Sequence, residues 1–322
     1  MRVHIQGVLV TGATTPIGER LVRSLCADSG IDNVLAVANE DELPLEHPKL
    51  VYKKVDLGRT RRAHELLFGI AKDLEVEVVV HTSMHRDARH TGGRVHAQNV
   101  DALRTLLDLG ERHPTIRRLV FRSHAEVYQV QADLPILIQE NHPLNMQGHA
   151  PQWIRDRVEA DLTACTRMGL SSLEIAVLRC AEVLAPGTGS QIFDWLDSAV
   201  CLRPLGFDPM MNLLSIDDCV VALELATKAF GVQGVFNIPG VDTLPLTAAV
   251  RRWGRVGVPM PGAVASYWYK ARRRLRGHDF SFGMNSRRFH YCSVLDGTRA
   301  RQVLGYSPAT SVDWPAEADP AG

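Results

Sequence analysis

The chain has 322 residues, 45% of them hydrophobic, which is enough for one large domain with a smaller appended lobe and excludes a disordered or fibrous protein. Lysine plus arginine and aspartate plus glutamate each number 36, so the bulk charge favours neither a nucleic-acid nor an acidic partner. Six cysteines are scattered without a Cys-x-x-Cys pair, which speaks against a zinc cluster and a disulfide framework, and we expect no metal site.

The first half of the chain alternates apolar runs of strand length with segments of helix length. The predicted strands are residues 3–10, 33–38, 50–55, 76–81 and 118–122. Their continuous apolar character is typical of parallel strands that helices cover on both faces. The predicted helices are residues 17–27, 63–72 and 100–112, the last with Asn99 as its N-cap. This βαβ rhythm predicts an α/β fold.

The segment 8–18, Val-Leu-Val-Thr-Gly-Ala-Thr-Thr-Pro-Ile-Gly, leads from a strand through a turn of small residues into a helix. Gly12 permits a sharp turn, the free amides and positive dipole end of the helix suit a pyrophosphate, and Gly18 permits close packing of helix and strand. Thr15 stands at the middle position of a Gly-x-x-Gly-x-x-Gly spacing, and its Cβ predicts reduced affinity. An ordinary turn that binds nothing is the alternative. The residues predicted to contact a dinucleotide here are Gly12, Thr14, Thr15, Pro16, Ile17 and Gly18.

Further motifs follow this turn in order along the chain. They are Val-Asp-Leu at 55–57, Val-Val-His-Thr-Ser-Met at 79–84, Arg-Ser-His-Ala-Glu-Val-Tyr at 122–128, Leu-Arg at 178–179, Leu-Ser-Ile-Asp-Asp at 214–218, Val-Phe-Asn-Ile at 235–238 and Leu-Gly-Tyr-Ser-Pro at 304–308. Together with the turn they resemble the extended short-chain dehydrogenase/reductase family, the NAD-dependent epimerase/dehydratase group, over nearly the whole chain. The resemblance implies a Rossmann-type doubly wound parallel sheet with a smaller C-terminal substrate lobe.

The pattern loosens after about Gln139, where proline and glycine become more frequent, although residues 173–178 and 234–238 still predict strands. We therefore predict a dinucleotide-binding core over residues 1–178 and a mixed substrate lobe with returning core elements over 179–310. We predict a disordered tail over 311–322.

The resemblance also implies the remaining contacts of a dinucleotide, with Asp56 accepting from the adenine amino group. The end of the second strand, Val-Ala-Asn-Glu-Asp at 37–41, holds no arginine or lysine. Glu40 and Asp41 would repel the extra phosphate of NADP, so we favour NAD, although a solvated acidic turn would look the same. The predicted cofactor contacts beyond the turn are Asn39, Asp56, Leu57, Thr82, Ser83, Met84 and Asn99.

The residues that would carry out the family's chemistry are missing. By the resemblance, that chemistry needs a Tyr, a Lys four residues later, and a Ser or Thr four residues before the tyrosine of the Val-Tyr pair. The last position is His124, and Ser123 lies one residue too early, which directs its side chain to the other face of the strand. Residues 140–162 contain neither Tyr nor Lys, and the nearest substitutes are Pro151 with Arg155 or Trp153 with Arg157.

Two functional hypotheses follow from this gap. The favoured one is an NAD(P)-binding protein with a degenerate active site, non-catalytic or regulatory, because a proton donor is absent from its expected place. The other is an active oxidoreductase or epimerase on a sugar-nucleotide or lipid-linked substrate, with His124 or His149 as the acid or base, since imidazole titrates near neutrality. The catalytic candidates are His124, His149 and Ser123, and the predicted substrate pocket is Ser123, His124, Tyr128 and Arg179.

A third hypothesis, a membrane-peripheral scaffold, rests on residues 267–276, Tyr-Trp-Tyr-Lys-Ala-Arg-Arg-Arg-Leu-Arg. Aromatics beside cations suit a membrane interface, an anionic protein or a nucleotide diphosphate, and equally a surface helix with one aromatic edge packed inward. The chain lacks an apolar run of the roughly 20 residues that a bilayer span needs, so we expect a cytoplasmic or membrane-peripheral protein. The resemblance implies a homodimer through the helices after Asn99 and Pro151. We also expect a nucleotide or other small-molecule ligand and no nucleic acid.

Overall fold

The computed structural model describes residues 4–276 and 280–315, with the side chains of 273–276 left undescribed. Within that part of the chain the strands are β1 (Ile5–Thr11), β2 (Ile31–Ala38), β3 (Leu50–Lys54), β4 (Val76–His81), β5 (Arg118–His124), β6 (Leu137–Ile138), β7 (Glu174–Cys180), β8 (Glu182–Val183), β9 (Val200–Pro204), β10 (Met210–Leu214), β11 (Gly234–Ile238), β12 (Asp242–Pro245), β13 (Val256–Met260) and β14 (Val294–Leu295). The α-helices are α1 (Pro16–Ala27), α2 (Thr60–Leu66), α3 (Gly93–His96), α4 (Ala102–Gly110), α5 (Gln152–Cys165), α6 (Gln191–Leu196), α7 (Ile216–Lys228), α8 (Leu246–Arg252), α9 (Gly262–Arg276), α10 (Phe282–Asn285) and α11 (Thr298–Leu304).

Seven parallel strands form the central sheet in the order β11-β7-β5-β4-β1-β2-β3. From β1 the chain runs outward to β3 and then returns to place β4 on the other side of β1. The crevice at the carboxyl ends of β1 and β4 is the switch point at which sheets of this type bind their ligands. The predicted α/β, Rossmann-type doubly wound sheet is confirmed.

Helices cover both faces of this sheet, as the apolar strands predict. Along β1, Val8 and Val10 pack into one buried cluster with α1 and α7, whereas Leu9 packs into a second cluster with α2, α4 and the end of α5. This alternation follows from the two-residue repeat of a strand. A third cluster, around Trp195, Phe280 and Phe289, forms the core of the smaller C-terminal lobe. In the described residues, no helix has the length and apolarity to cross a membrane.

The helix predicted to start after Asn99 begins earlier, and the prediction of Asn99 as its cap is wrong. Helical backbone starts at Gly93 and passes through a π-helical turn at Ala97–Asp101 into α4. The buried Asn99 side chain accepts a hydrogen bond from the His85 amide at 2.7 Å and donates to Asp156 at 3.1 Å. Asn99 therefore joins the loop after β4 to α5.

The predicted disordered tail is ordered at its start. Val312 and Trp314 are buried in the C-terminal lobe. The Asp242 carboxylate accepts hydrogen bonds from the Val312 amide at 2.7 Å, from Ser311 Oγ at 2.9 Å and from the Trp314 indole at 3.3 Å. Burial of two large apolar side chains and this shared acceptor fix the backbone that the polar sequence suggested was loose. Residues 316–322 lie outside the described part.

Candidate functional site

The turn between β1 and α1 requires glycine at two positions. Gly12 has a φ of +68°, a left-handed conformation that other residues rarely adopt, and a Cβ there would lie 3.0 Å from the Ser83 Cα. A Cβ on Gly18 would lie 2.1 Å from the Gly12 carbonyl oxygen. The turn thus packs β1, α1 and the residues after β4 as closely as backbone allows.

Thr15 is the N-cap of α1 and needs no glycine, because its φ is −76°. Its hydroxyl donates to the Gly12 carbonyl at 2.8 Å and accepts the Gly18 N–H at 3.0 Å. Pro16, the first helical residue, has no N–H to offer. Among the described residues, the Ile17 N–H is therefore the one amide of the first turn left without a protein acceptor.

A cleft of about 490 Å³ opens above this turn at the carboxyl ends of β1, β2 and β4. Predicted cofactor residues that line it are Gly12, Thr14, Thr15, Asn39, Asp56, Leu57, Ser83 and Met84. Pro16, Ile17 and Thr82 line an adjoining cavity, whose wall also includes Thr15 and Met84. Asn99 lines neither cavity, because its side chain is held between His85 and Asp156.

The acidic residues just after β2, Glu40 and Asp41, form ion pairs and a hydrogen bond to a hydroxyl. Glu40 accepts a hydrogen bond from Thr14 Oγ1 at 2.6 Å, and its carboxylate lies 3.9 Å from the Arg86 guanidinium. Burial raises the pKa of Glu40, but the Thr14 hydrogen bond and Arg86 outweigh it, so the net pKa is lowered and Glu40 is ionised. Asp41 pairs with Lys54.

Arg86 also donates to the Gly187 carbonyl at 2.9 Å, so this side chain lies across the cleft between the end of β2 and the loop after β8. No motif in the sequence predicts Arg86 at this position. It follows β4, far from Glu40 along the chain, and only the order of the strands brings the two together.

The helix α5 presents Trp153 and Arg157 to the interior, one turn apart. Arg155 instead reaches the Gly148 carbonyl from the exposed side of α5. Of the two substitute pairs that the sequence left open, the structure therefore places Trp153 and Arg157 on the buried face of the helix. The Arg157 guanidinium stacks 3.6 Å from the centre of the Trp153 ring and pairs with Glu126. Burial lowers the pKa of Arg157 to about 10, which leaves it a cation at neutral pH.

His124 and His149, the two candidate acid/base residues, lie in different surroundings. His124 is buried, lines two cavities, and has no hydrogen-bond partner for Nε2 in the described part of the chain. Burial, followed by the charges of Arg157 and Arg122, lowers the pKa of His124 well below its ordinary value, so its imidazole is neutral. His149 is exposed and lines none of the described cavities.

Ser123 and Arg179, both predicted to line the substrate pocket, belong to a buried hydrogen-bond network. The Asp161 carboxylate accepts from Ser123 Oγ at 2.5 Å and from Arg179 Nη2 at 2.6 Å. The Tyr128 hydroxyl donates to Asn237 Oδ1 at 2.6 Å and accepts from Arg179 Nη1 at 3.0 Å. Tyr128 borders a further cavity, whereas Ser123 and Arg179 line none of those described. The alternation of side chains along β5 is the physical reason for the orientation of Ser123.

Next to His124 lies a cluster of charges that we call the arginine pocket, formed by Arg122, His124, Glu126, Arg157, Glu182 and Arg288. Arg288 lies 3.2 Å from Glu126 and 2.5 Å from Glu182. Burial raises the pKa of Glu126, whereas the pKa of Glu182 is lowered because Arg288 and hydrogen bonds outweigh its burial. Sequence reasoning missed Glu126, Glu182 and Arg288, since they come from three separate segments that no motif connects.

The aromatic and basic segment forms the second half of α9. Tyr269 is buried, and its hydroxyl accepts the Leu202 N–H at 3.0 Å. Tyr267 and Trp268 are 77% and 55% exposed, on the same side of the helix as the exposed Val264. One aromatic thus packs inward as predicted for a surface helix, while two face outward.

The NAD dependent epimerase/dehydratase family model matches residues 8–238. Uncharacterized proteins of Mycobacterium bovis and Mycobacterium tuberculosis are 29% identical to the chain over 308 residues, which cover 94% of this chain and 80% of theirs. Among solved structures, a dTDP-glucose 4,6-dehydratase from Bacillus anthracis in complex with NAD has a TM-score of 0.70 at 18% identity, covering 95% of this chain and 92% of that one. A UDP-glucuronic acid 4-epimerase from Bacillus cereus with UDP-glucuronic acid and NAD has a TM-score of 0.69 at 16% identity, covering 95% of both chains. These structural likenesses show the fold.

Proposed function

The chain belongs to the NAD-dependent epimerase/dehydratase family, and we propose that it binds NAD in the cleft above the β1–α1 turn without transferring hydride to or from it. The observation that carries this proposal is the pair on the buried face of α5. Trp153 has no hydroxyl to exchange a proton with, and Arg157 stays cationic and is paired with Glu126. The site would then serve regulation or partner binding.

Binding of a dinucleotide is supported by the shape of the turn and by the relatives of the fold. Gly12 and Gly18 keep the close approach of backbone that such a turn needs, and the cleft lies at the switch point of the sheet. Structures with this fold carry NAD. The preference for NAD over NADP is supported by Glu40, an ionised carboxylate that would oppose the additional phosphate and that already engages Arg86.

Calorimetry on the full chain with NAD and with NADP tests the binding half of the proposal. We expect saturable binding of NAD, weaker binding of NADP, and loss of both in Gly12→Val, because a side chain there meets the backbone of Ser83. Absence of NAD binding by the wild-type chain would refute this half.

The catalytic half is tested by incubating the chain with NAD⁺ and with UDP-sugars or dTDP-sugars that carry deuterium at C4 of the hexose, and by following exchange of that label into C4 of the nicotinamide. We expect no exchange above that of buffer. Exchange at an enzyme-like turnover rate would overturn the non-catalytic assignment while leaving the binding result intact.

A second candidate function is an oxidoreductase or epimerase on a sugar-nucleotide or lipid-linked substrate, in which the neutral His124 imidazole accepts a proton. The observation in its favour is that His124 faces two cavities with Nε2 unpartnered in the described chain. His124→Ala would then abolish turnover and His149→Ala would leave it unchanged, since His149 is exposed outside the cavities. Turnover that survives His124→Ala excludes this candidate.

A third candidate is a scaffold that docks on an anionic lipid surface through α9. The exposed Val264, Tyr267 and Trp268 lie together beside the basic run that follows them. Flotation with vesicles containing phosphatidylserine should be lost when Tyr267 and Trp268 both become Ser. The control is Leu170→Ser, which removes an apolar side chain that is 87% exposed elsewhere. Equal flotation of wild type and the double variant excludes this candidate.

A further inference from the structure

The arginine pocket adjoins the cavity at the start of α1. One cavity is lined by the whole arginine pocket, and the neighbouring cavity reaches the first turn of α1. The two cavities share Arg122, His124, Arg157 and Thr188. A ligand that extends from the turn toward Arg288 would therefore pass these side chains.

The charges in this pocket do not balance. Arg157 pairs with Glu126, and Arg288 pairs with both Glu126 and Glu182. The Glu182 carboxylate also accepts from Ser190 Oγ and the Ile192 amide, each at 2.8 Å. Both carboxylates are thus committed to two of the three guanidinium groups.

Arg122 is the third guanidinium, and no carboxylate within the described residues forms an ion pair with it. Arg122 is 6% exposed, and its Nε has no hydrogen-bond partner among the residues that the structure describes. Its side chain contacts the Cys219 thiol. The hydrogen bond from Cys180, and then the charge of Arg122, lower the pKa of that thiol, and its sulfur is a weak hydrogen-bond acceptor for Arg122.

His124 lies beside Arg122 on the wall of both cavities, and its Nε2 is likewise unpartnered in the described chain. Buried polar groups in folded proteins are nearly always hydrogen-bonded, and a buried cation is costly unless a counter-charge is present. Arg122 Nε and His124 Nε2 thus lie without partners on one wall, where positive charge is in excess. A negatively charged group with oxygen acceptors would satisfy both nitrogens and balance the charge.

We propose that the arginine pocket binds an oxyanion, the carboxylate or phosphate group of a ligand, between Arg122 and His124. The inference rests on the proposed function in that this ligand would share the dinucleotide cleft. A guanidinium presents its N–H groups in a planar fork that matches the two oxygens of either group. The ligand class is thus an acidic small molecule rather than a neutral sugar or an apolar lipid.

Calorimetric titration of the NAD-free protein at pH 6.5 and constant ionic strength tests this directly, with sodium acetate and inorganic phosphate as separate probes. The wild type should bind one of them saturably, and the stronger probe tells a carboxylate from a phosphate. Arg122→Gln should weaken that binding about tenfold or more, and Arg122→Lys less, because lysine keeps the charge but loses the fork. Arg155→Gln is the matched control, since it removes an arginine from the exposed side of α5, and it should bind as the wild type does.

The NMR resonances and the pKa of the His124 imidazole provide a second measurement besides affinity. Arg122 and Arg157 depress its pKa, so a bound anion should shift its NMR resonances and raise its pKa, and His124→Ala should weaken anion binding several-fold. Absence of saturable binding of both probes to the wild type overturns the proposal, as does equal affinity in the wild type and Arg122→Gln. Should Arg122→Gln fail to fold, the same comparison is made with His124→Ala. Because NAD is absent from this titration, loss of NAD binding with anion binding retained would count against the proposed function alone.

Discussion

Replacing Thr15 with glycine should tighten NAD binding. The Thr15 hydroxyl accepts the Gly18 N–H at 3.0 Å. This amide lies at the N-terminal end of α1, where a pyrophosphate oxygen would otherwise accept it. The net contribution of a hydrogen bond is about 1 kcal/mol, because the freed amide gives up water to form it. This corresponds to a Kd about five times lower, measured by calorimetry. Loss of the cap should cost a few tenths of a kcal/mol of stability, about the size of a Thr-to-Gly change at an N-cap.

Two further variants at Thr15 separate the hydroxyl from the Cβ. Thr15→Ser keeps the hydroxyl and should bind NAD like the wild type, whereas Thr15→Ala frees the amide but keeps the Cβ and should fall between the wild type and the glycine variant. The reasoning is refuted if Thr15→Gly binds no more tightly than the wild type. It is equally refuted if Thr15→Ser gains as much as Thr15→Gly, because the hydroxyl would then not be the obstacle.

Three further predictions concern stability. Asp161→Asn should cost about 3–5 kcal/mol in urea unfolding, because Asp161 is fully buried and Arg179 would be left without its counter-charge; a loss below about 1 kcal/mol would contradict this. Arg122→Met should raise the Tm of the ligand-free protein by a few degrees, since it removes a buried cation that lacks a carboxylate partner, and a lower Tm would count against that account. The Asp156 hydrogen bond raises the pKa of His96 above 6.5. The stabilisation from His96 is then complete below its unfolded pKa and disappears as the pH rises through its folded pKa, so His96→Gln should lower the Tm at pH 5.5 and not at pH 8.5; equal losses at both pH values would contradict the assignment.

The sheet could be predicted because its signal is local. Each strand is buried on both faces, so it appears as a continuous apolar run, and the seven predicted strands agree with the structure within two residues at every end. The β1–α1 turn could be predicted for the same reason, because Gly12 and Gly18 mark positions where a side chain cannot fit. Asn99 shows where local sequence patterns fail. Its neighbours in the sequence predicted that it caps a helix, whereas its hydrogen bonds with His85 and Asp156, which lie far from it along the chain, determine its structural role.

The polar part of the cleft could not be predicted, because its partners are remote in sequence. Arg86 meets Glu40 only because β4 lies beside β1 in the sheet, and Arg288 reaches Glu126 and Glu182 from the C-terminal lobe. Motifs compare residues only with positions expected along the chain. They carry no information on ion pairs between segments that share no spacing.

These ion pairs bear on the proposal that the site lacks the family's catalytic Tyr and Lys. Glu126 forms ion pairs with both Arg157 and Arg288, and Arg288 also pairs with Glu182. Replacing any one of these side chains with a neutral one therefore leaves a buried charge unpaired on its neighbour. Reintroducing a Tyr at 153 would therefore not by itself rebuild the family's chemistry, because the guanidinium stacked on that ring remains committed to Glu126. Both carboxylates of the pocket are ion-paired, and the unpartnered Arg122 Nε and His124 Nε2 line the same two cavities, as the proposed oxyanion site requires.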